Sequence, residues 1–469
     1  MNTYKFCSFS FLGLAFLTQT IQAKEQINEK LPNIVFIMAD DLGYGSLSCY
    51  GQKEFKTPNI DKLASEGTRF TQAYAGGSVS TASRCVLMTG LHNGHTAARD
   101  NVPHFKTYLH EKDITIAEVL KEAGYKTGGV GKWSLGDAGT IGEATNKGFD
   151  MWLGYLNQDH AHYYYPEYLD YNKNTLKLPG NTILRNNYSH QILTNGALNF
   201  IRSAAKDPFF LYVSYTIPHY SAPEEDEDAL TVPSIAAPYL TKRKWPESAK
   251  KYASMVQLLD QGVGQIVNLI DDMGLKENTL IIFTSDNGGD SAVWKGFKTN
   301  GNLRGYKRDL NEGGIRVPFI VRWTNKVSMG VRNNEIISFQ DIFPTFADIV
   351  KSKSHYKTDG ISILPVFLGE DQKVKHQFLY WDYGHCRTRY DQAVRIGKWK
   401  GIKNGTGNKI QLFDLTTDIA EKKDIADKYP DIVAKIQELM KSEYIPNEFY
   451  PIGNIYKGKP IWNIGNNYY

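Results

Sequence analysis

At 469 residues the chain has room for one large domain and a smaller one, and 41% hydrophobic with 22% charged residues exclude disorder, collagen and coiled coil for its bulk. A net charge of +4, from 54 basic and 50 acidic residues, is too slight for a chain whose main partner is nucleic acid or an anionic membrane. Aromatic residues reach 13%, and rings with polar tips suit sugar contacts as well as core packing.

Residues 1–23 read as a secretory signal, with Lys5, an apolar run over 6–17 and the small Ala23 at the cleavage point. A secreted or periplasmic protein is expected. The run is too short to span a bilayer and no other segment is long enough, so no stable membrane insertion is expected. After cleavage Cys49, Cys85 and Cys386 remain, which permits at most one internal disulfide, and no Cys-x-x-Cys pair suggests zinc.

Residues 33–38 form a continuous β-branched apolar run, the pattern of a strand buried on both faces, and stop at Asp40-Asp41. A short helix is expected over 60–67. Strands are expected over 125–131 and 209–215, the latter followed by Pro218-His219. The apolar spacing from Tyr252 to Ile270 predicts a helix over 248–273, and a strand over 280–284 stops at Asp286-Asn287. Another strand is expected over 318–323. This alternation predicts an α/β fold around a mostly parallel sheet. Beyond it, 378–383, 392–400 and 410–415 read as antiparallel strands and 431–442 as a helix. The expected division is a catalytic domain over 24–372 and a smaller sheet-plus-helix domain over 373–469. The acidic run 224–228 reads as a solvated loop.

Ligands of open α/β sheets bind at the carboxyl ends of the strands, so Asp40, Asp41, His219, Asp286 and Asn287 are expected to gather at one edge. The two acidic pairs supply only oxygen, which suits a hard cation, calcium best, although such pairs also close turns and cap helices.

Ser80-Thr81-Ala82-Ser83-Arg84, followed by Thr89-Gly90, resembles the signature of the type I, formylglycine-dependent sulfatases, in its serine form. The resemblance extends in order over most of residues 33–400: the opening strand with Asp40-Asp41, Thr57-Pro58-Asn59, Gly131-Lys132-Trp133, Pro218-His219, Ser285-Asp286-Asn287-Gly288, Arg304-Gly305-Tyr306-Lys307 and Glu312-Gly313-Gly314. It implies an alkaline-phosphatase-like α/β/α sandwich with a smaller C-terminal antiparallel sheet. It implies that a maturating enzyme oxidises Ser80 to formylglycine (3-oxoalanine), whose hydrate attacks the sulfur of a sulfated carbohydrate. One calcium per chain would sit on Asp40, Asp41, Ser80, Asp286 and Asn287. Ser80, Arg84, Lys132, His219 and Lys307 would be catalytic, the lysines on sulfate oxygens and His219 on the leaving oxygen. A phosphatase or phosphodiesterase on the same fold using unmodified Ser80, or a non-catalytic binder of sulfated glycans, remain the alternatives.

One departure stands out: the family's Gly-Lys-Trp-His motif has Ser134 in place of its histidine. Asp159, His160 and His162, in a His- and Tyr-rich block that resembles a subset of carbohydrate sulfatases, are the candidate replacements, His162 ahead of His160. These two, with Arg99, Trp381 and Arg387, are the expected substrate contacts; His95, Asn101 and His385 are weaker ones. The block's resemblance points to galactose or N-acetylgalactosamine sulfates.

Overall fold

The computed structural model describes Met1 and residues 30–101, 109–220 and 230–453. The expected signal segment and the acidic run 224–228 lie outside these residues. Leu31–Tyr469 form one compact unit; of the other, Met1–Lys30, only the two end residues are described.

Ten strands build the main sheet: β1 (Asn33–Ala39), β2 (Thr68–Tyr74), β3 (Lys126–Lys132), β4 (Met151–Tyr155), β5 (Tyr168–Tyr171), β6 (Asn174–Lys177), β7 (Phe209–Ser214), β8 (Thr279–Ser285), β9 (Phe319–Trp323) and β10 (Val331–Ser338). Their spatial order is β10-β2-β9-β8-β1-β7-β3-β4-β5-β6. The centre, β8-β1-β7-β3-β4, is parallel throughout; β9 is antiparallel to both β2 and β8.

The apolar run of β1 is buried because both faces of the sheet are covered. Val35, Ile37 and Ala39 enter one core with Leu193 and Ile201 of helix Ser189–Ala204 and Met255, Leu259 and Val263 of helix Glu247–Asp272. Ile34, Phe36 and Met38 enter the opposite core with Val86 and Met88 and with Phe343 and Phe346. Burying each larger side chain contributes about 1.5–3 kcal/mol, so the strand's place in the sheet is strongly determined. α1 (Pro58–Ser65) joins the first core through Ile60, Leu63 and Ala64, whereas α2 (Ser80–Thr89) and α3 (Ile116–Glu122) lie over the second.

A second sheet, β11 (Leu379–Tyr383), β12 (Asp391–Ile396), β13 (Trp399–Asn404) and β14 (Gln411–Asp414), is antiparallel in sequence order. The single strand expected over 392–400 is two strands. Gly397, at φ 54°, turns the chain in a left-handed conformation that glycine adopts freely, and Ile396 pairs with Trp399 across the hairpin. Helix Pro430–Ser442 covers one face through Ile436 and Met440. The other face packs Leu379, Trp381 and Ala393 on Tyr74, Val79 and Ala82 beside α2. Cys49, Cys85 and Cys386 are all free thiols. Among the described residues no helix is long and apolar enough to cross a membrane.

Candidate active site

Strand register assembles the site. Ala39 of β1 lies opposite Ser285 of β8, and Met38 opposite Ser214 of β7. Ser214 in turn faces Gly131 of β3. The next residues along, Asp40, Asp286 and Lys132, therefore emerge side by side at the carboxyl edge. Gly131 makes the close approach possible: at φ 104°, a Cβ there would stand 1.8 Å from the Ser214 carbonyl oxygen.

Ser80 opens α2, a helix whose every residue is buried, and its hydroxyl donates to Asp40 Oδ1 at 3.0 Å. Asp40 Oδ2 accepts from Lys132 Nζ at 2.8 Å. Asp41, held at φ 59°, accepts at Oδ1 from Asn287 Nδ2 at 2.7 Å and at Oδ2 from Lys307 Nζ at 2.7 Å. Its backbone N–H donates to Asp286 Oδ1 at 3.0 Å. Arg84 donates to Asp286 Oδ2 at 2.8 Å, to the Lys132 carbonyl at 2.9 Å and to the Ser214 hydroxyl. Lys307 also donates to His219 Nε2, at 2.7 Å. Residues from six segments of the chain thus form one buried network.

Its electrostatics are unequal. Burial opposes ionisation of Asp40, but Lys132, His219, Arg84 and Lys307 outweigh it and hold the carboxyl well below its ordinary range. Burial pushes Asp41 up despite Lys307, helped by the Asp40 and Asp286 charges. Burial and then Asp40 push Asp286 up as well. Burial, with Lys307 next, holds the His219 imidazole well below its usual range, which suits Nε2 to accept the Lys307 hydrogen bond.

The donor set fits a hard cation. Asp40, Asp41, Asp286, Asn287 and Ser80 offer oxygen alone, and Asn287 Oδ1 is buried without a hydrogen-bond partner. Ligand atoms of Asp40, Asp41 and His219 lie within 4.8 Å of one another. His219 is nevertheless committed to Lys307, which leaves the oxygens as the available ligands.

The 157–165 block folds back over this edge. Thr81 Oγ1 donates to Gln158 Oε1 at 3.3 Å, and Tyr164 donates to the His219 carbonyl at 2.5 Å. The His162 ring stacks on His219 with centroids 4.5 Å apart and planes 15° apart. Burial, then Lys132 and Lys307, push the His162 imidazole down to about 3. Burial pushes Asp159 up to about 6 in spite of Lys132. Ser134, at φ 62°, has its hydroxyl buried without a partner.

Three expected substrate contacts lie in packed surroundings. Arg99 is 2% exposed, donates to the carbonyls of Thr96 and Ile445 and lies over the Tyr444 ring. Trp381 is a core residue whose indole N–H donates to the Ala75 carbonyl at 2.9 Å. The His160 ring packs against Tyr155 and Tyr168 at 5.0 and 4.2 Å. Packing absorbs all three because their polar atoms or rings meet neighbours that sequence spacing does not show. Arg387, partly exposed, pairs with both carboxylate oxygens of Asp100, at 2.9 and 2.7 Å. Asn101, the next residue, accepts the Thr81 backbone N–H at 2.8 Å, which ties the Arg387–Asp100 pair to the first turn of α2. His385 bonds the Tyr450 carbonyl within the second-sheet region. Two contributors were missed. Ser214 carries the same signal as the aspartates, a polar residue ending a buried strand. Arg308, half-exposed beside Lys307, faces Asp290 at 3.7 Å and had no sequence signal.

An α/β sheet with an oxygen-lined, cation-rich cluster around a serine at a helix start defines a hydrolase of anionic esters. Residues 32–352 match the sulfatase family model, and the chain belongs to the sulfatase family: it is a sulfuric ester hydrolase. Residues 304–445 also match the model described as N-sulphoglucosamine sulphohydrolase, C-terminal. The chain is 29% identical to the N-acetylgalactosamine-6-O-sulfatase of Bacteroides thetaiotaomicron, over 92% of this chain and 97% of that one. It is 30% identical to human (Homo sapiens) arylsulfatase A, over 79% and 74%. Among solved structures, Ps i-CgsB in complex with k-i-k-neocarrahexaose superposes with a TM-score of 0.77 at 28% identity, covering 92% of this chain and 96% of that one. The relatives support carbohydrate sulfatase activity.

Proposed function

We propose that the chain cleaves a sulfate ester of a galactose or N-acetylgalactosamine unit through a formylglycine made from Ser80, with one calcium on Asp40, Asp41, Asp286, Asn287 and the modified Ser80. The observation that carries this reading is the junction of Ser80, Lys132 and Lys307 on Asp40 and Asp41, with Asn287 Oδ1 left unpartnered among oxygen donors. The modified residue would supply an oxygen nucleophile for sulfur with a route to release sulfate that a serine ester lacks, and calcium would supply charge neutralisation.

The other tasks fall to ordinary side chains. Lys132 and Lys307 are buried, pre-aimed cations for sulfate oxygens, where water screens them least. Arg84 reaches no open space; it positions Asp286 and the Lys132 backbone. His219, which accepts from Lys307 Nζ at 2.7 Å, protonates or stabilises the leaving sugar oxygen. His162 replaces the family histidine absent at Ser134 and takes the proton whose removal releases sulfate. Bound sulfate places negative charge beside Lys132 and Lys307 and offsets their push on His162. Arg387 and Arg308 recognise further anionic or hydroxyl groups of the glycan. The N-acetylgalactosamine named for the Bacteroides relative supports the sugar assignment.

Ser80 has no exposed surface, so the maturating enzyme meets it before the chain folds, and the 1–23 signal then directs the product to the periplasm or outside the cell. The test is the mass of the Ser80 peptide from protein made in its native host: two hydrogens lighter than encoded and reactive with a hydrazide. Unmodified Ser80 in fully active protein overturns the reading. For His162→Ala, turnover falls roughly 10²- to 10⁴-fold and a sulfated intermediate accumulates. Loss of affinity at unchanged turnover would instead make His162 a substrate contact.

A further inference from the structure

A second cluster of ligand-type side chains lies away from the catalytic network. His92 and His95 follow α2, and their rings stack with centroids 4.0 Å apart. Glu443 comes from the end of helix Pro430–Ser442, and Asp359 from the segment before Gly360. His92 Nε2 is 3.4 Å from Glu443 Oε2, and His95 Nε2 is 3.9 Å from the same oxygen. One ligand atom from each of His92, His95 and Glu443 falls within 4.8 Å of the others. A tetrahedral ion with ligands at about 2.0–2.1 Å separates them by about 3.3 Å, so these spacings are close to closed around a metal.

The second observation concerns His95. Its Nδ1 lies 2.8 Å from Asp359 Oδ2, an oxygen that also accepts the His92 backbone N–H at 2.9 Å. With the ring proton at Nδ1, the lone pair of Nε2 faces the Glu443 carboxylate with no proton between them. A cation relieves that repulsion, and a carboxylate on the far nitrogen is the usual support of a metal-bound imidazole. His92 is 2% exposed, and the Tyr380 ring packs 5.1 Å from its own.

The geometry points to a zinc site formed by His92 Nε2, His95 Nε2 and Glu443 Oε2, with Asp359 as the positioning carboxylate. Two imidazoles and one carboxylate favour zinc over the hard cations suited to the all-oxygen catalytic cluster. The ion fastens the segment after the nucleophile helix to the end of the last helix. The chain already approaches closely there: Ile445 N–H donates to the Gly94 carbonyl at 3.2 Å, and a Cβ on Gly94 would stand 2.2 Å from the Glu443 carbonyl oxygen. The same segment carries Asn101 to the start of α2.

The experiment equilibrates metal-free full-length protein with a small excess of zinc in millimolar calcium, removes free metal by gel filtration and counts bound zinc by mass spectrometry. One zinc per chain is expected. His95→Ala and the shape-preserving Glu443→Gln lose it, whereas Asp286→Asn, in the catalytic cluster, retains it. Asp359→Asn weakens zinc roughly 10- to 100-fold, and cobalt in the wild type gives the intense visible bands of a four-coordinate ion. Folding of each variant is checked by circular dichroism. Wild type without zinc, meaning an imidazolium paired with two carboxylates, overturns the assignment, as does equal retention in Glu443→Gln. Loss of zinc in Asp286→Asn with retention in His95→Ala places the ion in the catalytic cluster and also overturns it.

Discussion

Two of the buried ionic clusters among the described residues are built to opposite ends. Between the sheets, Lys400 Nζ is 2.9 Å from both Glu312 and Glu421. Glu312 also takes Arg316 at 3.0 Å and the Tyr74 hydroxyl at 2.7 Å. Burial opposes its ionisation, but Lys400, Arg316 and Arg395 win and hold its carboxyl low. In the catalytic cluster the same side-chain types leave Asp41 and Asp286 pushed up and Asn287 Oδ1 unpartnered. The interface surrounds Glu312 with fixed cations, although burial pushes its neighbour Glu421 up in spite of Lys400. On the proposed function, a diffusible cation would take over the carboxylates that hold Lys132 and Lys307, which would free both lysines for substrate.

The sharpest way to break this contrast is Asp286→Asn. Steady-state turnover should fall roughly 10³-fold or more, the scale of losing electrostatic stabilisation at the reacting centre, while denaturant-measured stability is nearly unchanged. An active Asp286→Asn enzyme would remove Asp286 from the metal site.

Lys400→Met should do the reverse. It leaves Glu312 and Glu421 buried without their shared cation, at a cost of about 3–5 kcal/mol in urea unfolding. The folded fraction should keep its KM and turnover. Unchanged stability would mean that Arg316 and Arg395 suffice.

Acid and base should separate the regions more gently. Asp382, in the second sheet, is buried; His385 and then Arg99 outweigh burial and hold it at about 2. A carboxyl lowered in the fold stabilises above its unfolded value near 4, and that contribution, about 2 kcal/mol, disappears as pH falls from about 4 to about 2. Asp41 and Asp286 have the opposite sign. In chelated protein their raised values favour the fold when protonated, so stability declines as pH rises above the unfolded carboxyl value near 4, the share of Asp41 being lost by about 7. Calcium should abolish that decline. Asp382→Asn should remove its own share of the acid limb and leave that of Glu312, and urea midpoints at several pH values read both effects.

The strands and the chemistry at their ends were legible because both are local. A run such as 33–39 buries alternate side chains in two cores, and the polar residue after it must emerge at the sheet edge whatever its partners. That logic found Asp40, Asp41, Asp286 and Asn287, and the Ser80 and Lys132 motifs supplied the rest. It also applied to Ser214, which went unread. The hairpin at Gly397 was hidden because residues on its two sides share strand-like composition, and only pairing reveals the turn.

Sequence alone determined the residue types of the site, the strands that present them and the missing histidine at 134. Tertiary structure decided which neighbours those residues meet. It laid His162 on His219 while packing His160 between two tyrosines two residues away, and it spent Arg99 and Trp381 on backbone carbonyls. It brought Glu443 to His92 across 351 residues of chain. A side chain's position along a strand or helix follows from local periodicity, but its partner is set by strand register and by the packing of whole elements, which no short stretch of sequence encodes.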